Sequence, residues 1–181
     1  AGDGVKAHGK LSVKGIDLTD KNGDKVQLRG MSSHGLLWYP EYTNYASIYE
    51  TKKHGANMFR IAMYSDDGNG NGGYIQNPEL SWKLMQAAIE NTLAADMYAV
   101  VDWHVLREQN PLHNVDKAKE FFSKVSALYG DEAGVIYEIC NEPNGDTTWE
   151  DIVEYASQVI PVIRENASDA VILVGTPDYS Y

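Results

Sequence analysis

Apolar positions in this chain follow two alternating patterns. Short runs of four to eight apolar residues are separated by longer stretches in which apolar residues recur every three or four positions. The short runs predict strands over 27–33, 57–64, 98–103, 135–140 and 170–175. The longer stretches predict helices over 44–54, 78–96, 114–129 and 148–166. Gly55 and Gly130 stop the first and third of these helices. In the second, Leu80, Leu84, Ala87, Ala88 and Leu93 form the expected buried stripe. The fourth opens with Thr147 and Glu150 at the spacing of a capping box.

Residues 1–26 read differently. Leu11-Ser12-Val13 and Lys25-Val26-Gln27-Leu28 alternate as short strands, and Asn22-Gly23 between them is a hairpin signal. One α/β domain over 1–181 is therefore expected, with an N-terminal hairpin over 1–26 at its bottom and the strands and helices over 27–181. Strict β-α-β alternation with apolar strands predicts a parallel sheet covered by helices. A doubly wound sheet and a barrel both fit. No Gly-x-Gly-x-x-Gly follows the first strand, which runs instead into Ser32-Ser33-His34-Gly35, so a nucleotide-binding sheet is disfavoured.

Composition narrows the function classes. The 181 residues carry a net charge of −11, which disfavours nucleic acid and anionic membranes as partners. No apolar run approaches the roughly 20 residues of a membrane span. The single cysteine, Cys140, can form no internal disulfide and reads as a small buried hydrophobe. No two histidines are close in sequence, so neither a metal nor another cofactor is expected. The segment Asp66 to Gly73 reads as a flexible loop, because it lacks the ligand spacing of a calcium loop.

The chemistry gathers at the carboxyl ends of the strands, where parallel α/β folds place their sites. His34 follows the first strand. Arg60 and Tyr64 lie on the second, Asp102, Trp103 and His104 end the third, and Asn141 and Glu142 end the fourth. Period-two alternation puts Asp102 and His104 on one face, and Glu138, Cys140 and Glu142 on another. Arg29 and Glu138 have the parity of the lower interior and are expected to form a structural ion pair. His8, His54 and His113 read as solvated, and Trp82 and Trp149 as helix packing.

Asn141-Glu142-Pro143 after Ile136-Tyr137-Glu138-Ile139-Cys140 resembles the signature of family 5 glycoside hydrolases. Leu28-Arg29-Gly30, Phe59-Arg60-Ile61 and Asp102-Trp103-His104 strengthen the match, which is nearest to the bacterial endoglucanases and runs from about Leu11 to the last residue. The resemblance implies a (β/α)8 TIM barrel, here a partial barrel of about five β/α units, in a secreted enzyme. It implies retaining hydrolysis of internal β-1,4-glucosidic bonds, with β-glucan or cellulose oligosaccharides as substrates. A mannanase or xylanase on the same barrel is the alternative. Glu142 would be the acid/base and Asn141 would bind the sugar 2-hydroxyl. Arg60 would hold the nucleophile carboxylate, and His104, His34 and Tyr64 would meet sugar hydroxyls. Trp38 and Tyr39 would offer a stacking platform.

One departure follows from the same resemblance. A retaining glycosidase needs two carboxylates about 5–5.5 Å apart, and the second is expected at the end of a seventh strand, beyond the five seen here. The chain alone is therefore expected to be an inactive split-barrel fragment, completed by a second chain or segment supplying strands six to eight.

Overall fold

The computed structural model describes residues 2–181. Its main sheet is parallel and is built from β3 (Gly30–Ser32), β4 (Met58–Tyr64), β5 (Tyr98–His104), β6 (Val135–Glu138) and β7 (Ile172–Leu173). Their order in space is their order in sequence. A doubly wound sheet reverses its strand order at a switch point, whereas sequential order is the wall of a barrel. This decides between the two predicted architectures.

Side-chain parity divides each strand between two environments. On β4, Phe59, Ile61 and Met63 are buried against the helices, while Arg60 and Tyr64 are only partly buried. The helices α2 (Tyr45–Lys53), α3 (Pro78–Ala94), α4 (Val115–Tyr129) and α5 (Trp149–Asn166) follow β3, β4, β5 and β6. Their buried faces join the strands in one core centred on Met85, Ile89, Trp103, Phe121, Phe122 and Tyr155.

Three helix details differ from the sequence prediction. The buried face of α3 is Ser81, Met85, Ala88, Ile89 and Thr92, while Leu80 is 44% exposed. Thr92 can enter this face because its hydroxyl donates to the Ala88 carbonyl at 2.7 Å, whereas the Ser81 hydroxyl on the same face is buried without a partner among the described residues. The capping box of α5 is Thr148 with Asp151, one residue later than expected. The Thr147 hydroxyl instead donates to the Asn144 carbonyl at 2.7 Å. Trp149, expected to pack, is half exposed at the first helical position.

The N-terminal segment forms the floor of the wall. A single turn, α1 (Val5–His8), precedes a hairpin of β1 (Ser12–Lys14) and β2 (Asp17–Thr19). Gly15, at φ 63, makes its turn. The predicted Asn22-Gly23 reversal is present, but it returns the chain only to a single bridge between Thr19 and Lys25. Asp20 closes that turn by accepting from the backbone of Asn22 and Asp24, at 2.8 and 3.1 Å. Leu11 packs with Tyr98, Val100, Ile136 and Val171 at the amino end of the sheet. His8, expected to be solvated, is held between Asp3 and Asp20 at 3.1 and 3.0 Å.

Candidate active site

Strand register determines what meets at the carboxyl end. Ala62 pairs with Asp102, and Asp102 pairs with Glu138, so Glu138 lies at the upper rim. The expected Arg29–Glu138 pair is therefore absent. Arg29 lies at the amino end of the sheet and bonds Asp3. Glu138 instead receives two bonds from Arg60, from Nε and Nη2, each 2.7 Å. Beyond β6 the chain stays in the wall. The Ile139 amide donates to the Leu173 carbonyl at 3.0 Å and the Asn141 amide to the Trp103 carbonyl at 3.1 Å.

Around Arg60 four side chains form a closed ring. Arg60 Nη2 donates to Asn141 Oδ1 at 2.9 Å and lies 3.0 Å from Asp102 Oδ2. Asn141 Nδ2 lies 3.1 Å from His104 Nε2, and His104 Nδ1 lies 2.6 Å from the same Asp102 oxygen. The direction of each bond follows from chemistry. A guanidinium can only donate, so the Asn141 oxygen faces Arg60 and its NH2 faces His104. His104 Nε2 must then accept, and its proton sits on Nδ1, pointing at Asp102.

The electrostatics are those of a buried, compensated cluster. Asp102 is fully buried. Burial pushes its carboxyl above the usual range; the His104 bond and the Arg60 charge oppose this, while the Glu138 charge adds to it. Burial alone would lower the Arg60 guanidinium, but the Glu138 bond and the charges of Asp102, Glu138 and Glu142 raise it above its ordinary value. Glu142 is close enough to contribute, yet its side chain is exposed. Of the three carboxylates around Arg60 it is the one most open to solvent.

An aromatic rim continues from this cluster. Tyr64 stacks on His104 with ring centroids 4.8 Å apart and 24° between planes. The Tyr64 hydroxyl lies 3.2 Å from His34 Nδ1, and burial pushes that hydroxyl up. His34 contacts Trp38 and Tyr39 at centroid distances of 5.4 and 5.2 Å. The structure thus brings Glu142, Asn141, Arg60 and His104 to one end of the sheet, with Tyr64, His34, Trp38 and Tyr39 as a contiguous flank.

Sequence reasoning missed two participants. Glu138 shared the parity of Glu142 but was assigned to the wrong level, and only the β5–β6 register corrects that. Asp67, in the loop read as flexible, accepts from Trp38 Nε1 at 2.6 Å. No periodicity marks a lone acid in a glycine-rich loop.

The chain matches the family Cellulase (glycosyl hydrolase family 5) over residues 19–181. It is 45% identical to endoglucanase A of Butyrivibrio fibrisolvens, over 97% of this chain and 41% of that one. It is 43% identical to an endoglucanase of Clostridium saccharobutylicum, over 95% of this chain and 38% of that one. Among solved structures, the catalytic domain of Thermobifida fusca endoglucanase Cel5A superposes with a TM-score of 0.92 at 39% identity, over 99% of this chain and 57% of that domain. A variant of that domain has been solved in complex with cellotetraose. The chain spans about two-fifths of the length of these curated relatives, and its five-stranded parallel wall is part of a (β/α) barrel. By sequence and by fold, the chain belongs to glycoside hydrolase family 5, the cellulases.

Proposed function

We propose that this protein is an endo-β-1,4-glucanase acting with retention, and that Glu142 is its acid/base. The observation that carries this is an exposed Glu142 carboxylate beside the closed ring of Arg60, Asn141, His104 and Asp102. In the first step Glu142 protonates the departing glycosidic oxygen, and in the second it takes a proton from the incoming water. Asn141, held by Arg60 and His104, is oriented to meet the sugar 2-hydroxyl as the oxocarbenium-like transition state develops.

The nucleophile in this scheme is a second carboxylate about 5–5.5 Å from Glu142. Arg60 is suited to hold it. Its Nε and Nη2 protons go to Glu138 and Asn141, whereas Nη1 has only the Ser32 hydroxyl, at 3.3 Å, as a partner among the described residues. Further strands would pair with β3 and β7, the two outer strands of the wall. Met31 and Leu173 on those strands are 60% and 43% exposed. An open cleft of 620 Å³ beside β3, lined by Met31, Thr51 and Ala56, would be covered by the same addition. The cellotetraose complex of the Thermobifida fusca relative supports cello-oligosaccharides as ligands. An insoluble polymeric substrate implies action outside the cell.

The test uses the protein at its natural length. Initial rates on soluble cellulose derivatives, glucomannan and xylan are compared, and the first-formed anomer is read by NMR. Preference for the β-1,4-glucan with the β-anomer appearing first is the expected result. A mannan or xylan preference, or an α-anomer, contradicts the proposal.

A further inference from the structure

The loop after β4 is ordered by its own side chains. Gln76 Oε1 accepts from the backbone of Asp67 and Gly73, at 3.1 and 2.9 Å, and its Nε2 donates to Asp66 at 2.6 Å. The base is tied to the strand end, where the Tyr74 and Ile75 amides donate to the Tyr64 and Ser65 carbonyls at 2.8 and 3.1 Å. Asp67 is thereby turned inward and is 4% exposed.

Asp67 joins three loops. One oxygen accepts from Trp38 Nε1, in the loop after β3, at 2.6 Å. The other faces Arg107 Nε, in the loop after β5, at 3.8 Å. With its amide oxygen turned to Arg107, Asn69 accepts from Nη2 at 3.1 Å and closes the same link. The loops are also clasped at Glu108, which accepts from the Ser65 hydroxyl and, at 3.1 Å, from the Leu106 amide.

The backbone leaves little room for Trp38 to move. A Cβ on Gly70 would lie 2.1 Å from Asp67 Oδ2 and 2.5 Å from Trp38 Cζ2. A Cβ on Gly35 would lie 2.6 Å from the Tyr64 ring and 2.9 Å from Trp38 Cδ1. The indole is thus gripped by two glycine backbones and pinned at its nitrogen by a buried carboxylate. A flat, locked aromatic wall suits the C–H face of a sugar ring, and locking it beforehand removes an ordering cost from binding.

We propose that Asp67 is a positioning residue for substrate length: it locks the Trp38 indole as the stacking wall for a distal sugar of the β-glucan chain. It rests on the glucanase function proposed above. Its effect is on binding of sugars remote from the cleaved bond, so it separates long substrates from short ones.

The experiment measures kcat and KM for Asp67→Ala and Asp67→Asn in the protein at its natural length. The substrates are cello-oligosaccharides of increasing length and a small aryl cellobioside. A charge-assisted bond of this kind is worth about tenfold in binding. Asp67→Ala should therefore raise KM about tenfold on the long substrates, with kcat little changed and most of the loss absent on the aryl cellobioside. Asp67→Asn keeps an acceptor for the indole and should recover most of the loss. In parallel, the Trp38 indole N–H resonance should move upfield in Asp67→Ala and stay near its original position in Asp67→Asn. Equal losses on long and short substrates, no loss on either, or an unmoved indole resonance would overturn the proposal. A parent protein that cleaves no cello-oligosaccharide would instead remove the glucanase function itself, and this proposal with it.

Discussion

Arg60 and Glu138, 78 residues apart in sequence, meet through two bonds of 2.7 Å each. The pair crosses β5, since the two residues lie on β4 and β6. Their side chains are 22% and 16% exposed, so water screens the pair only partly. Arg60 is thus fixed before any substrate arrives, and its remaining donors are aimed by the protein.

Glu138→Gln conserves volume but removes one charge and one acceptor. The Arg60 guanidinium then keeps Asp102 as its only close carboxylate partner among the described residues. With Asp102 still compensating the guanidinium, the loss of one charge-assisted bond is expected to cost about 1.5 kcal/mol. Denaturant unfolding of parent and variant checks the stability change. A loss below about 0.5 kcal/mol, the range of ordinary surface substitutions, would mean the pair is effectively solvated.

Thr148, and not Thr147, caps α5 through its side chain. Thr148→Ala should destabilise by about 1 kcal/mol, the usual worth of an N-cap. Its hydroxyl accepts from the Asp151 amide at 3.2 Å, and the Asp151 carboxylate accepts from the Thr148 amide at 3.0 Å. The cap bonds run only between Thr148 and Asp151 and do not involve the Arg60 ring, so the melting temperature should fall while KM stays unchanged. Thermal unfolding monitored by circular dichroism measures this.

The floor contact at His8 makes stability depend on pH. The bonds to Asp20 and Asp3 raise the imidazole above 6.5 despite partial burial. Asp20 is lowered from 3.8 chiefly by the His8 bond. Asp3 feels an upward push from burial but is lowered on balance by His8 and Arg29. A group raised in the folded state stabilises fully below its unfolded value and loses that contribution as pH rises through its folded value. The two lowered carboxyls contribute above 3.8 and lose it as pH falls through their folded values. The stability difference between parent and His8→Asn should therefore be largest between about 4 and 6.5 and shrink on both sides. Urea midpoints across a pH series report it, and a difference flat with pH would contradict the pairing.

The sequence carried the elements and the ends of the strands, because strand and helix periods report burial directly. Arg60, Asp102, His104 and Glu142 were legible as rim groups from their place toward the carboxyl ends of the strands, with alternation giving their faces. The partner of Arg60 was not. Alternation gives the face of a residue but not its height, and the height of Glu138 comes from its pairing with Asp102. The cap of α5 slipped by one residue because Thr147 and Thr148 compete for the same role. The buried Asn144 carbonyl takes the Thr147 hydroxyl and decides between them. The hairpin was misplaced because Asn22-Gly23 is a genuine turn that happens to join a strand to a single bridge. Asp67 stayed hidden because its role depends on Trp38, 29 residues away.

The central claim is that Glu142 is the acid/base, and Glu142→Gln tests it most directly. The exposed side chain makes no hydrogen bond among the described residues, so the fold should be unaffected. On substrates with poor leaving groups the rate should drop by about 10³-fold or more, and on aryl glycosides with activated leaving groups by far less, since these need little proton donation. A large loss on the first class with a small loss of the glycosylation rate on the second is the predicted result. Equal losses on both classes, or full activity on cellulose, would contradict it.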